Sequence, residues 1–451
     1  MSRRSLIVLL LLAAAAATAW QEHRQLDDQA LALRKAALLS SENDALRDAL
    51  AAAQRDAADA ANALRRAQIE RDTSAIRGLP FKEPVVYDVL DKAGIRQVVA
   101  GKLSEIYTDQ EIQNMSTGLS AFGLLPPNFP LKQTYINLLG EQIAAFYDQH
   151  QHKLFMFRDA SLENAQNRVI LSHELTHALQ DQNFGLLKLP LEIKDNDDEA
   201  TAASALIEGD ATLVMSQYMA KDLTWHTFAD TVTYSATQSM EQMRKAPHFL
   251  REMLVFPYIK GQEFCAAVYA RGGFPALSAV YADPPTSTAQ ILHPEKYFPE
   301  TRENPIPVTF TDTAFRGEKP LDDNVLGEMG CRILFAQADA DDAHNVAAGW
   351  RGDRYLVYDD GKELVWKTVW RSKEAADAAM HTFHATCTRR FKLARDRFRG
   401  QGGSSDFIVS PNGGRYLSTL RIDPNEVVFI LATDKESADL LEQQFAGASH
   451  G

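Results

Sequence analysis

The sequence predicts a mostly helical α+β protein with a small sheet, an N-terminal coiled-coil helix and a smaller C-terminal α+β unit. Residues 21–72 contain neither Pro nor Gly, which favours one long helix. Apolar residues in the middle of the chain follow helical spacing, and strand-like runs occur near residue 150 and towards the C-terminus. The expected domain bounds are 1–19, 20–77, 78–343 and 344–451.

The first 19 residues have the pattern of an export signal. A basic "MSRR" precedes an apolar run from Leu6 to Trp20, and Ala17-Thr18-Ala19 has the small-x-small form of a cleavage site. The run is short for a membrane span, which needs ~20 residues. A cleaved signal and a retained inner-membrane anchor formed by residues 5–20 both remain open. Either one predicts an extracytoplasmic protein, periplasmic or secreted.

Residues 20–77 predict a coiled-coil helix, because apolar residues alternate by four and three. The seam consists of Leu46, Leu50, Ala53, Ala57, Ala60, Leu64 and Ala67. One interpretation is a homo-oligomer formed through residues 20–76, and the other is an amphipathic helix that folds back on the protein. Gly78 and Pro80 end the helix, so we expect a chain starting near Gly78 to stay folded.

The globular part begins with helical patterns over about 86–125. "AAFYD" and "KLFMF", within residues 141–157, predict two strands around a turn. Asp159 or Ser161 is expected to cap the next helix, which runs to about Gln182 and ends before Gly185. Further helices are expected over about 197–220, 225–245, 259–271, 274–282 and 322–343, with a short helix in the loop 284–298.

The C-terminal unit predicts the order strand, strand, helix, strand, strand. The strands are "RYLVYDD", "ELVWKTVW", "RYLSTLRI" and "EVVFILAT", and the helices cover about 373–394 and 434–445. On the first of these helices His381, His384 and Cys387 could bind a metal. Because the third position drifts off the shared face, a half-buried helix is the favoured interpretation.

Composition excludes one class of partner. Lys and Arg number 47 against 60 Asp and Glu, which gives a net charge of −13 without a basic run, so nucleic acid is not expected as a partner. The cysteines Cys265, Cys331 and Cys387 form no CxxC motif. One pair could bridge in an oxidising compartment, but sparse cysteines are more commonly buried and unpaired.

The segment "VILSHELTHALQDQ", residues 169–182, carries the strongest chemical signal. His173 and His177 are four residues apart on a predicted helix, so both imidazoles lie on one face and could bind one tetrahedral zinc ion. Glu174 is the next residue around the helix. It is placed to take a proton from a metal-bound water rather than to bind the metal.

A catalytic zinc needs a third protein ligand, and Glu208 is the best candidate. It lies on the next predicted helix in "ALIEGDATLVM", where a carboxylate is costly unless it has a partner. Asp210 and Glu199 are rival ligands. Asp210 points away from the face of Glu208 and fits better as a group that holds a ligating imidazole.

With His173-Glu174-x-x-His177 followed by a helical Glu208, the sequence resembles the gluzincin metallopeptidases, the thermolysin-like superfamily. The resemblance implies a zincin-type fold, Zn²⁺ at the three ligands and Glu174 as general base. It also implies that the peptide lies along an edge strand, here "AAFYD" or "KLFMF". Ile207 stands where the aminopeptidase branch usually carries Asn, and no G-x-M-x-N motif precedes the helix. An endopeptidase is therefore favoured.

A narrower resemblance covers most of residues 78–370. "HELTHALQDQ", "IEGDATLV", "FPY" with Gly261, "PPTSTAQILHPEKY" and "GWRGDRY" are similar to segments of a family of exported bacterial proteins that carry this zincin motif. It implies no particular substrate. Within "HPEKY", His293 and Tyr297 are candidate donors to the oxyanion of the transition state.

These observations predict an exported zinc metallopeptidase that acts on a peptide or protein. A zinc-bound water would attack the peptide carbonyl, and Glu174 would take the proton and deliver it to the leaving amine. Two alternatives stay open. One is a catalytically silent binding or assembly protein with a zincin fold, and the other is a zinc hydrolase of a non-peptide bond such as a cell-wall crosslink.

Overall fold

The computed structural model describes residues 3–142, 145–157, 160–222, 244–338, 340–391, 406–410 and 413–446. Most of the helix expected over 225–245 lies outside these residues, as do the side chains of the expected export segment 1–19. Contacts divide the chain into two compact units, Met1–Gln68 and Ile69–Gly451. Within the described residues, no helix is both long enough and apolar enough to cross a bilayer.

Helix α1 spans Arg3–Arg77, which confirms the predicted long helix. In the first unit the seam residues Leu46, Leu50 and Leu64 are exposed, at 69%, 59% and 74%. Exposed leucines at a and d positions are typical of a helix that pairs with another chain. Self-association through residues 20–76 remains a prediction.

The last turns of α1 belong to the second unit, contrary to the boundary expected at Gly78. Ile69 is 1% exposed within an apolar cluster, and Thr73 donates a hydrogen bond to the Ser172 hydroxyl at 3.0 Å. Arg77 is fully buried and its Nε lies 2.8 Å from an oxygen of Asp210. For these turns the interpretation of a helix folded back on the protein is right, and a chain starting at Gly78 would lose a buried charge.

A three-stranded sheet with the order β1-β3-β2 lies beside the motif helix. β2 (Ala145–Asp148) pairs antiparallel with β3 (Lys153–Phe157), which confirms the two predicted strands. β1 (Val86–Leu90) pairs parallel with β3 and lies where helix was expected. Pro84 disfavours helix before it, and the "VVYDV" stretch is rich in residues that favour strands.

The helices that follow have identifiable ends. α2 (Lys92–Ile106) is capped by Asp91, and α3 (Asp109–Phe122) by a capping box of Thr108 and Glu111. After α4 (Leu131–Gln142) comes the motif helix α5 (Ala165–Phe184). Its N-cap is Asn164 rather than Ser161, since the Asn164 side chain accepts a hydrogen bond from the backbone of Gln166. Asp159, the other expected cap, lies outside the described residues. Gly185 ends the helix as expected, with φ 74°.

Two long helices carry the centre of the second unit. α6 (Asp197–Asp222) crosses α7 (His248–Val280). Non-helical backbone at Gly272 and Gly273 divides α7 into two helical segments, as expected from the helices predicted over 259–271 and 274–282. At the crossing, a Cβ on Gly209 would lie 2.2 Å from the backbone carbon of Gly261. The two backbones can therefore approach this closely only because both residues are glycine. The crossing lies directly beside Glu208.

The C-terminal part confirms the predicted strands and adds two more. Its six-stranded sheet has the order β4-β5-β6-β9-β8-β7. β4 (Asp322–Asn324) was expected to be helical, and β7 (Asp406–Ser410) was not expected. The other strands are β5 (Trp350–Tyr358), β6 (Glu363–Trp370), β8 (Gly413–Asp423) and β9 (Glu426–Ala432). The helices are α8 (Thr288–Leu292), α9 (Gly327–Ala336), α10 (Ala340–Ala347), α11 (Lys373–Arg390) and α12 (Lys435–Ala446).

One apolar cluster joins this sheet to the helices before it. The cluster runs from Ile112 of α3 to Leu431 of β9 and includes the fully buried Trp366. The helices and the six-stranded sheet therefore share a core, and the α+β class is confirmed. Stable packing of the sheet against the helices follows from this shared burial.

All three cysteines are buried and free, as the favoured interpretation predicted. Cys387 is 2% exposed on α11, and the His384 Nε2 hydrogen-bonds the Thr419 hydroxyl at 2.7 Å. These side chains therefore belong to a half-buried helix, which was the favoured interpretation. No metal-binding cluster forms there among the described residues.

The Arg77–Asp210 pair yields a stability prediction. Arg77→Ala leaves the Asp210 carboxylate buried without its cation, so we expect a loss of about 3–5 kcal/mol in the free energy of unfolding. Arg47→Ala on the same helix is the matched control, because Arg47 and Asp44 are 74% and 69% exposed and the pair should contribute about 0–1 kcal/mol. Urea denaturation followed by circular dichroism measures both.

Two truncations extend the same test. A chain that begins at Ile69 should unfold cooperatively at nearly the full-length midpoint, whereas one that begins at Gly78 should be destabilised or aggregate. Equal stability of the two truncated chains would show that the last turns of α1 do not support the second unit.

Candidate metal centre

Helix α5 brings the two motif histidines to one buried face. His173 and His177 are each 8% exposed, and their rings meet edge to face with centroids 4.7 Å apart. Their Nε2 atoms lie 3.0 Å apart. The face is buried because α5 packs against β2, β3 and α6. The i, i+4 spacing thus produces the convergence that the sequence predicted.

Glu208 of α6 completes a group of three. Its Oε2 lies 3.1 Å from the His173 Nε2 and 3.5 Å from the His177 Nε2. Zinc bonded to nitrogen at about 2.0–2.1 Å in a tetrahedron holds two ligand atoms about 3.3–3.4 Å apart. The donor set and its spacing therefore fit zinc. Among the described residues no other three His, Cys, Asp or Glu side chains converge in this way.

The charges of the group reinforce one another. Burial alone would raise the pKa of Glu208, but His177 and His173 hold it well below its usual range. Burial lowers the pKa of His177 and the charge of Glu208 raises it, with a net increase to about 9. Without a bound cation, the site therefore holds a proton beside an ionised carboxylate. A divalent cation would replace that proton.

Gln180 fixes the orientation of His177. The His177 Nδ1 lies 2.9 Å from the Gln180 Oε1, and because an amide oxygen only accepts, Nδ1 carries the hydrogen. Nε2 is thereby the ring atom directed at Glu208 and His173, and it is the atom that a metal would bind once the proton leaves. This arrangement, in which the second ring nitrogen is held by a hydrogen bond, is typical of metal-ligating histidines.

Asp210 was expected to hold a ligating imidazole, but it holds Gln180, which in turn holds the imidazole of His177. It does not contact an imidazole: it accepts from the Gln180 Nε2 at 3.1 Å and from the Tyr281 hydroxyl at 2.8 Å, and it pairs with Arg77. A buried polar chain thus runs from Arg77 through Asp210 and Gln180 to His177. Its members hold one another in place because each would be costly to bury alone.

Glu199, the other rival ligand, lies elsewhere. Its side chain accepts from the Asn196 side chain at 3.0 Å, at the N-terminus of α6. It is nine positions before Glu208, which corresponds to about 13 Å along a helix. Of the three candidate carboxylates, only Glu208 reaches the histidines.

Glu174 lies beside the group and is held by the small sheet. Its Oε2 accepts a hydrogen bond from the backbone N–H of Tyr147 in β2 at 2.9 Å. Burial raises the pKa of Glu174, and the neighbouring His173 and His177 oppose that rise. The carboxylate is therefore positioned next to the ligands without belonging to them, as the sequence predicted for a proton acceptor.

Tyr258 of α7 is a site residue that the sequence analysis missed. Its ring stacks on His173 with centroids 6.0 Å apart, and it lines the same cavity as Glu208. The charge of Glu208 and burial raise the pKa of Tyr258 well above its usual value, so the hydroxyl stays protonated and can donate. The sequence feature that could have indicated Tyr258 is "FPY" followed by Gly261. Gly261 lets α7 approach α6 closely beside Glu208, and this approach brings Tyr258 to the site.

The donors expected from "HPEKY" are engaged elsewhere. The His293 Nε2 lies 2.6 Å from an oxygen of Glu328, and the Tyr297 hydroxyl donates to the backbone oxygen of Asp283 at 2.7 Å. Neither lines the cavity that opens at Glu208 and Tyr258. Tyr258 takes their place as candidate donor.

Gln180 offers a test of the polar chain. Gln180→Leu keeps the shape but releases the His177 ring and removes a partner of Asp210, so we expect zinc affinity to fall about 10–100-fold. Gln166→Leu, in the first turn of α5, is the matched control and should bind zinc like the wild type. Competition with a chromogenic chelator measures both affinities. If the two variants bind zinc equally well, Gln180 does not orient the ligand.

Comparison with known proteins identifies one matching region. Residues 315–442 match the model of a family described as a domain of unknown function (DUF8575). No curated protein and no solved structure matches the chain. The matching region covers under a third of the chain, includes all six strands of the six-stranded sheet and does not include the residues of the candidate metal centre.

Proposed function

We propose that this chain is an exported zinc-dependent metallopeptidase with a zincin-type fold and endopeptidase activity. The observation that carries the proposal is the convergence of His173, His177 and Glu208 within hydrogen-bonding distance of one another, with Glu174 beside them. Two imidazoles and one carboxylate form a common ligand set of catalytic zinc, which keeps a fourth position open. Zinc, when bound, supplies Lewis-acid activation of water and of the substrate carbonyl.

The chain's own residues account for the proton transfers. Glu174 accepts a proton from the attacking water as the water oxygen bonds to the carbonyl carbon. It then delivers that proton to the nitrogen as the C–N bond breaks. Tyr258 donates a hydrogen bond to the oxygen on which negative charge develops, which its raised pKa allows.

β2 is the strand on which the proposal places a peptide. β3 is the central strand, so "KLFMF" has no free edge and only "AAFYD" can accept an added strand on the site side. The Tyr147 N–H, directed at Glu174, marks the free edge of β2 as the one that faces the site. A peptide added there would lie beside the proton acceptor. Export through residues 1–19 and self-association through residues 20–76 belong to the same proposal.

The proposal predicts about one zinc per chain. His173→Ala, His177→Ala and Glu208→Ala should each lose it, since each removes one of three converging ligands. Atomic absorption after dialysis against a weak chelator measures the zinc content. If Glu208→Ala keeps its zinc while Asp210→Ala loses it, Glu208 is not the third ligand.

Glu174→Gln separates proton transfer from metal binding. Glutamine fills the same space and cannot take a proton, so zinc content and melting temperature should stay unchanged while turnover falls by several orders of magnitude. Cleavage of a mixed peptide library, with and without a chelator, gives the rates. Glu163→Gln, exposed just before α5, is the matched control and should cleave like the wild type.

The same assay decides among the alternatives. Chelator-sensitive cleavage at internal peptide bonds supports the proposal. Bound zinc with no cleavage of any peptide would favour the silent binding protein or a hydrolase of non-peptide bonds. Near wild-type turnover by Glu174→Gln would rule out the assigned proton acceptor.

A further inference from the structure

A cavity of about 620 Å³ runs from the candidate metal centre along helix α6. Its volume is within the ~300–1,000 Å³ typical of ligand sites. Asp197, Thr201, Ser204 and Glu208 line it and follow one another at intervals of four, three and four residues, so they form one stripe on a single helix face. The stripe begins at Asp197 and ends at the metal ligand, about 16 Å away at 1.5 Å per residue.

The walls opposite this stripe are apolar apart from Lys102 of α2, whose ammonium lies 3.2 Å from an oxygen of Asp148. α7 contributes Phe249, Met253 and Leu254, and α2 contributes Val99 and Leu103. The α6 residues between the ends, including Thr201 and Ser204, have small side chains and leave the space open. A ligand that fills the cavity therefore has an apolar body over most of its length.

The end of the cavity away from the metal centre is acidic and aromatic. Asp197 lines it together with Tyr107, Tyr135 and Tyr355, and the Tyr355 hydroxyl donates to Asp322 at 3.0 Å. Burial raises the pKa of Asp197 to about 6, and burial together with the charge of Asp197 raises that of Asp322 to about 7. Two carboxylates are thus held close together in a partly buried place beside tyrosine rings.

The nearby cations do not neutralise this acidic end. The Lys194 ammonium lies 2.7 Å from Glu111, and the Arg354 guanidinium 2.6 Å from Asp323. In the part of the chain that the structure describes, Asp197 and Asp322 form no ion pair. The Asp322 carboxylate accepts a hydrogen bond from the neutral Tyr355 hydroxyl, and at Asp197 the backbone N–H donates to the Asn324 Oδ1 at 2.8 Å. Half-buried carboxylates without a cationic partner, beside aromatic rings, favour a cationic ligand group.

We propose that this cavity binds an apolar peptide segment whose far end carries an ammonium group, received by Asp197 and its surrounding tyrosines. The inference rests on the proposed function and names its substrate class. An extended peptide advances ~3.3 Å per residue, so the cation should lie about five residues from the scissile bond. The ammonium can come from a lysine side chain or from a free N-terminus.

Cleavage kinetics test the substrate class. The substrates are apolar peptides with either lysine or norleucine about five residues from the cleaved bond, and with either a free or an acetylated N-terminus at that distance. We expect kcat/KM to be at least about 30-fold higher for the cationic member of a pair. A preference confined to lysine or to the free N-terminus identifies the source of the ammonium. Equal kcat/KM within each pair would overturn the inference.

Asp197→Asn tests the residue that receives the cation. It should lower kcat/KM for the cationic peptide to the value of its neutral partner and leave the neutral peptide unaffected. Asp195→Asn removes an equal charge two residues earlier, at a side chain that is 71% exposed, and should keep the wild-type preference. Zinc content and circular dichroism confirm that both variants are folded. An unchanged preference in Asp197→Asn would contradict the assignment.

A binding measurement separates this inference from the peptidase proposal. Calorimetry on the full chain compares octylammonium with 1-octanol, which share an apolar body and differ in charge. We expect the amine to bind at least tenfold more tightly than the alcohol, and this difference to be lost in Asp197→Asn. Such binding without cleavage of any peptide would support the proposed cavity ligand and contradict only the peptidase proposal. Equal binding of amine and alcohol would overturn the inference whatever the enzyme cleaves.

Discussion

The close approach of α5 and α6 is the constraint on which the candidate site depends. It places two imidazoles and a carboxylate within 3.5 Å of one another, at a face where His173 and His177 are almost fully buried. Converging polar groups in such a place are stable only when hydrogen bonds or a cation satisfy them. The surrounding structure supplies the hydrogen bonds, and the ligand set itself favours the cation.

Support for this convergence comes from three directions. From the end of α1, Arg77 holds Asp210, which holds Gln180 and through it His177. From the small sheet, β2 holds Glu174 by a backbone N–H. On the third side α7 contacts α6 at Gly209 and Gly261 and brings Tyr258 over His173. The long N-terminal helix is therefore part of the site's architecture in its last turns.

Local patterns were sufficient for much of this structure. The i, i+4 spacing predicted the shared face of His173 and His177, and two short strand-like runs around a turn predicted β2 and β3. Strands β1 and β4 were missed because a strand of three to five residues is defined by its pairing partner, which lies elsewhere in the chain. The β1 partner is β3, more than sixty residues later. Such pairing leaves little trace in the local sequence.

The parts of the site that were mispredicted depend on distant contacts. Arg77 and Asp210 are 133 residues apart, and nothing in the run "TSAIRGLP" shows that its arginine is buried. Tyr258 reaches the site only because two glycines let α6 and α7 cross closely. Asp210 acts on the His177 imidazole through Gln180, which hydrogen-bonds both of them. A sequence states which groups are available, whereas their distances follow from packing.

X-ray absorption at the zinc edge, on full-length protein purified without added metal and then loaded with one equivalent of zinc, tests the central claim most directly. The account predicts a four-coordinate zinc with two imidazole nitrogens at about 2.0–2.1 Å and oxygen in the remaining positions. It also predicts that Glu208→Ala changes this spectrum and Glu199→Ala does not. A protein that retains no zinc, or a zinc bound by sulfur or by six oxygens, would contradict the account.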